Sequence, residues 1–82
     1  MAKDEGDIRA TKAARAEMAK RGIDMTLADM RCMHGVLHIR GTVRPYRGNH
    51  VADMKSEMEL IARVLRQKSD IRDVILECMY RS

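Results

Sequence analysis

Aromatic side chains are nearly absent from this chain. Its 82 residues include no Phe and no Trp, and only Tyr46 and Tyr80, against eight Met. A core must therefore be aliphatic and methionine-filled, and methionine specifies packing less rigidly than rings do. The same shortage counts against sequence-tolerant binding of single-stranded nucleic acid, where bases stack on aromatic rings. No apolar run approaches the ~20 residues of a bilayer-spanning helix. Residues 1–7 carry Lys3, Asp4, Glu5 and Asp7 and lack the apolar segment of a secretory signal. A soluble, cytoplasmic protein is the expectation.

Catalytic signatures are missing as well. There is no nucleophile elbow, no paired-carboxylate motif and no glycine loop of the phosphate-cradling type. The expectation is a protein that is not an enzyme and carries no cofactor. Two cysteines, Cys32 and Cys78, allow at most one disulfide, and without an export signal they read as buried, reduced thiols. Cys32, His34 and His38 invite a metal reading, but zinc sites usually show a second closely spaced pair, so no metal is expected.

The remaining composition describes one small folded domain. Hydrophobic residues make up 45% and charged residues 34%, too apolar for wholesale disorder. Residues 1–6 read as a disordered N-terminal segment and residues 7–82 as the domain. A first helix is predicted over 7–21, acidic at its start, basic at its end and followed by Gly22, a natural C-terminal cap. Its apolar stripe, Ala10, Ala14 and Met18, is thin.

Alternation then takes over. Ile23, Met25 and Leu27 share one phase and Ala28, Met30 and Cys32 the other, which predicts a loop leading into a strand over 27–33. His34-Gly35 marks a tight turn. Residues 36–43 form the clearest strand, with Leu37, Ile39 and Val43 on one face and His38, Arg40, Thr42 and Arg44 on the other. Asn49 is a plausible N-cap for a helix over 51–68, whose stripe is Val51, Met54, Met58, Ile61, Ala62 and Leu65. A last strand covers 71–80, with Val74, Leu76, Cys78 and Tyr80 on one face and Val74 and Leu76 expected in the core. The fold class is therefore α+β, in the order α-β-β-α-β. The expected architecture is a three-stranded mixed sheet with both helices packed on one face. Periodicity leaves open whether the last strand lies beside the first or the second.

This pattern resembles the BON domain of bacterial envelope and stress proteins, over about residues 7–80. The local match is Gly35-Val36-Leu37-His38-Ile39-Arg40-Gly41-Thr42-Val43, similar to that family's turn glycine, apolar strand and terminal Gly-Thr-Val. A helix and an apolar strand, Asp73-Val74-Ile75-Leu76, follow as in the family. The resemblance implies a non-enzymatic module associated with phospholipid attachment or assembly. The same element order occurs in ring-building domains of secretion systems and resembles some KH modules.

Charge supplies the candidate site. The formal net charge is +4, and from residue 30 to residue 52 there is no Asp or Glu. That window predicts a basic strand-and-loop stripe of His38, Arg40, Arg44, Arg47 and His50, suited to phosphate or carboxylate. Expected partners are an anionic phospholipid surface or an acidic protein, with nucleic acid, bound in the KH manner, as the alternative. Leu60 and Val64 lie off the stripe of the second helix and are the candidates for self-association, in a dimer or in a ring or scaffold unit.

Overall fold

The computed structural model describes residues 5–81. Helix α1 spans Glu5–Lys20, starting two residues before the expected position. Residues 1–4 of the expected disordered segment lie outside the described residues. Ala10, Ala14 and Met18 are buried along one line of α1, so short side chains bring the helix axis close to the sheet. The chain leaves the helix at Gly22, whose N–H donates to the Ala19 carbonyl at 3.1 Å. Asn49 donates from Nδ2 to the carbonyls of Arg21 and Gly22, at 3.2 and 3.1 Å. The residue expected to open the second helix instead closes the first.

Four strands are present rather than the expected three, in the order α-β-β-β-α-β. Strands β1 (Ile23–Asp24), β2 (Ala28–Met33), β3 (Val36–Pro45) and β4 (Asp73–Tyr80) form one sheet in which β3 pairs with all the others. β1 and β2 run antiparallel to β3, and β4 runs parallel to it. The N–H groups of Thr42 and Tyr46, four residues apart and so on one edge of β3, donate to the carbonyls of Leu27 and Gly22. β1 and β2 thus follow each other along the same edge, and β4 occupies the other.

The additional strand has a local cause. Between the pairs Asp24↔Arg44 and Ala28↔Gly41, three residues on one chain face two on β3. The extra residue is taken up in a turn, with the Ala28 N–H donating to the Met25 carbonyl at 3.0 Å. That insertion reverses the side-chain phase, so Ile23 and then Met30 and Cys32 all face the core. Gly41 lies opposite this bulge with φ +101°, and a Cβ there would sit 2.6 Å from the Leu27 carbonyl oxygen. Only glycine combines that backbone conformation with that approach.

β2 and β3 are joined by the expected tight turn, with His34 at φ 52° and Gly35 at φ 81°. Two successive positive values describe the turn that matches strand twist. Asp7 of α1 holds it in place, accepting from the N–H groups of His34 and Gly35 at 3.2 and 3.0 Å and from the Cys32 thiol at 3.4 Å. The Gly35 carbonyl in turn accepts from the N–H of Arg72 at 2.8 Å, where β4 begins. One turn therefore ties together α1, the hairpin and β4.

Helix α2 spans Met54–Arg66, and its N-cap is Asp53, which accepts from the Ser56 N–H at 3.2 Å. Met58, Ile61 and Leu65 are fully buried against the sheet, together with Met18, Ile23, Leu37, Ile39 and Val43. Both helices contribute to this one core, on one face of the sheet. Leu76, expected in the core, is only half-buried because it belongs to an edge strand. Among the described residues no helix is long and apolar enough to cross a membrane.

Two outcomes follow. Gly41→Ala should destabilise the domain by at least ~1–3 kcal/mol through backbone strain, with the Leu27 contact adding to it, as read by urea unfolding. The carboxyls of Asp7, Asp53 and Asp70 are all held below the usual Asp value of 3.8, chiefly by hydrogen bonds from Gly35, Ser56 and Arg9 respectively. A lowered folded-state pKa stabilises above the unfolded value, and the contribution is lost as pH falls through the folded one. The melting temperature should hold above about pH 5 and drop steadily below pH 4.

Candidate binding face

The face of the sheet turned away from the helices is covered by no other segment among the described residues. Strand alternation places Asp29, Arg31 and Met33 of β2 there, then Val36, His38, Arg40, Thr42 and Arg44 of β3, and Asp73, Ile75, Glu77 and Met79 of β4. The register sets them in rows. Met33, Val36 and Asp73 form one; Arg31, His38 and Ile75 the next; Asp29, Arg40 and Glu77 the third.

That register changes the character of the predicted stripe. Arg40 is exposed, but it stands between Asp29 and Glu77 on the two neighbouring strands. His38 Nδ1 lies 3.9 Å from Glu77 Oε1. Arg44 donates from Nε to Asp24 at 3.0 Å. The Asp24 carboxyl is held below its ordinary value, first by the Thr26 hydroxyl and amide and then by Arg44. Acids that are absent from the 30–52 window are brought to it from Asp24, Asp29 and Glu77.

The other predicted residues separate. Arg47 is exposed in the loop after β3. His50 lies on the helical side, lining a shallow depression of about 470 Å³ with Arg21, Asn49, Asp53, Glu57 and Leu60. Arg21 bridges the two helices there, donating to Glu17 at 2.7 Å and Glu57 at 3.3 Å. Leu60 is 40% exposed and Val64 half-buried, both on the flank of α2 nearest Glu57. Arg40, Arg44, Arg47, His38 and His50 therefore do not form one continuous patch.

Apolar residues were the part of this face that the charge pattern did not single out. Met79 is 66% exposed, Met33 56% and Ile75 38%, and Leu27 at the bulge is 59% exposed beside Arg40. Strand alternation in β4 was the signal that placed Ile75 and Met79 opposite Val74 and Leu76. A shallow recess of about 340 Å³ lies among Asp29, Arg31, Met33, His38, Arg40 and Glu77. Cys32 faces the core while His38 faces the recess, so these two candidate ligands do not converge. Among the described residues no group of three or more His, Cys, Asp or Glu is placed to hold a metal ion.

Neutralising the acids should uncover the stripe. The triple variant Asp24→Asn, Asp29→Asn, Glu77→Gln should bind phosphatidylglycerol vesicles on the order of 10- to 100-fold more tightly than the parent at low salt, since an arginine near an anionic bilayer contributes about 1 kcal/mol. Co-sedimentation reads the difference, and equal binding would mean that the three carboxylates do not mask the arginines. The chain matches no protein-family model, no curated protein and no solved structure.

Proposed function

We propose that this protein is a non-enzymatic binding and assembly module that holds a protein partner on the open face of its sheet. The mixture of side chains on that face carries the reading. Met33 on β2 and Ile75 and Met79 on β4 offer apolar area on either side of β3, and Arg31, Arg40, Asp29 and Glu77 lie between and beside them with both signs of charge. Protein interfaces combine apolar and polar contacts, and methionine and arginine are enriched in them. An anionic bilayer fits less well, because it repels Asp29 and Glu77, which flank Arg40 on the same face.

The partner chemistry follows from the surroundings. Arg47 adds an exposed positive charge in the loop beyond β3. A segment carrying a few apolar side chains flanked by carboxylates suits this arrangement, with Arg31 and Arg40 receiving the acids. The likeness to BON domains supports a role in assembly through the Gly35-to-Val43 strand. Tyr46 is exposed and Tyr80 half-buried, which leaves little aromatic surface for a nucleic-acid reading.

Peptides selected from a random displayed library on the immobilised domain test the proposal. The expected ligands are acidic peptides with two or three apolar residues. Their titration should shift the NMR signals of Arg31, Met33, His38, Arg40, Ile75 and Met79. Met33→Asp with Arg40→Glu should weaken binding at least tenfold while leaving the fold intact. Shifts confined to the helices, or binding of vesicles or RNA in preference to every peptide, would overturn it.

A further inference from the structure

The outer edge of β4 is protected along only part of its length. The Arg81 N–H donates to the Val43 carbonyl, so odd-numbered residues of β4 turn their N–H and C=O groups toward β3. Val74, Leu76, Cys78 and Tyr80 turn theirs outward. At Val74 both groups are taken: its N–H donates to the Asp73 carboxylate at 2.8 Å, and its carbonyl accepts from Arg66 Nη2 at 2.8 Å. Arg66 also donates from Nε to Asp73 at 3.0 Å, closing the clamp. No described residue hydrogen-bonds to the outward backbone groups of Leu76, Cys78 and Tyr80.

The same three residues carry incompletely covered side chains. Leu76, Cys78 and Tyr80 pack against the core yet remain half-exposed, whereas Val74 at the clamped end is buried. An unclamped edge beside exposed apolar side chains is a template for another strand. We propose that the occupant is a second copy of this chain, its β4 paired antiparallel across a two-fold axis at Cys78.

Several features agree with that occupant. Centring on Cys78 pairs Leu76 with Tyr80 of the copy, and uses the whole open stretch while keeping both Arg66–Asp73 clamps outside the contact. The flank of α2 that carries Arg66 also carries Glu59 and Arg63, at helical spacing. A two-fold copy runs its helix the opposite way, which brings Glu59 toward the copy's Arg63 and Arg63 toward the copy's Glu59. Charge on this flank is thus complementary to itself. This edge is separate from the open face and does not depend on the partner proposed for it. It also differs from the Leu60–Val64 flank, which points toward α1.

Sedimentation equilibrium of the full chain, with circular dichroism of each variant, tests the pairing. The parent should approach twice 9.4 kDa as concentration rises into the hundreds of micromolar. Cys78→Lys should remain near 9.4 kDa, because two ammonium groups would meet at the axis. Glu59→Arg, a change on the helix surface, should weaken association about tenfold, and adding Arg63→Glu should restore it. Met79→Lys, on the opposite face, should leave the dimer unchanged. A parent that stays monomeric, or a dimer lost with Met79→Lys but kept with Glu59→Arg, would overturn the proposal. The charge-swap pair decides the matter if Cys78→Lys does not fold.

Discussion

Every strand contact in this domain passes through β3. It is hydrogen-bonded to β4 along one edge and to β2 and β1 in turn along the other. Its inward residues Leu37, Ile39 and Val43 are fully buried under the two helices, and its outward residues form the centre of the open face. With no Phe or Trp, the chain has apolar volume for one layer interface, and that interface lies between β3 and the helices. The far face is left to solvent or a partner, and the edge of β4 is left half-protected. Both proposed surfaces are consequences of a sheet built outward from one strand.

Charge in this protein is arranged by register rather than by sequence neighbourhood. The acid-free window from residue 30 to residue 52 becomes a mixed surface once β2 and β4 lie beside β3. Asp29 and Glu77 are distant from Arg40 in the chain but directly opposite it in the sheet. Alternating signs around exposed methionines favour discrimination between protein surfaces over attraction to any anion. The same register explains why His38 and Cys32, close in sequence, act on opposite sides of the sheet.

Much of the fold could be read from periodicity. The helices, the His34-Gly35 turn, the long strand and the inward set Leu37, Ile39, Met58, Ile61 and Leu65 follow from helical and two-residue repeats, which are local properties. Strand β1 was not legible, because two residues are too short to show a period. The phase change between Leu27 and Ala28 was visible, yet it reads equally as a loop or as a bulge inside one continuing ladder. The roles of Asn49 and Asp53 depended on which chain end folds back to meet them, and no local pattern contains that. For the candidate face, the arginines were legible and the acids that the sheet sets beside them were not, since cross-strand pairing is long-range. Ile75 and Met79 were legible from alternation in β4, but a search guided by charge passes over them.

Amide hydrogen exchange tests this architecture most directly. In dilute solution, below the concentrations at which the β4 edges are proposed to pair, the amides of residues 37–43 should be among the slowest, because β3 is paired on both edges. In β4 protection should alternate, with Ile75, Glu77 and Met79 slow and Leu76, Cys78 and Tyr80 fast. Uniform protection along β4 in dilute solution, or exchange in β3 as fast as at the free edge, would contradict a sheet organised around β3 with one edge half-open.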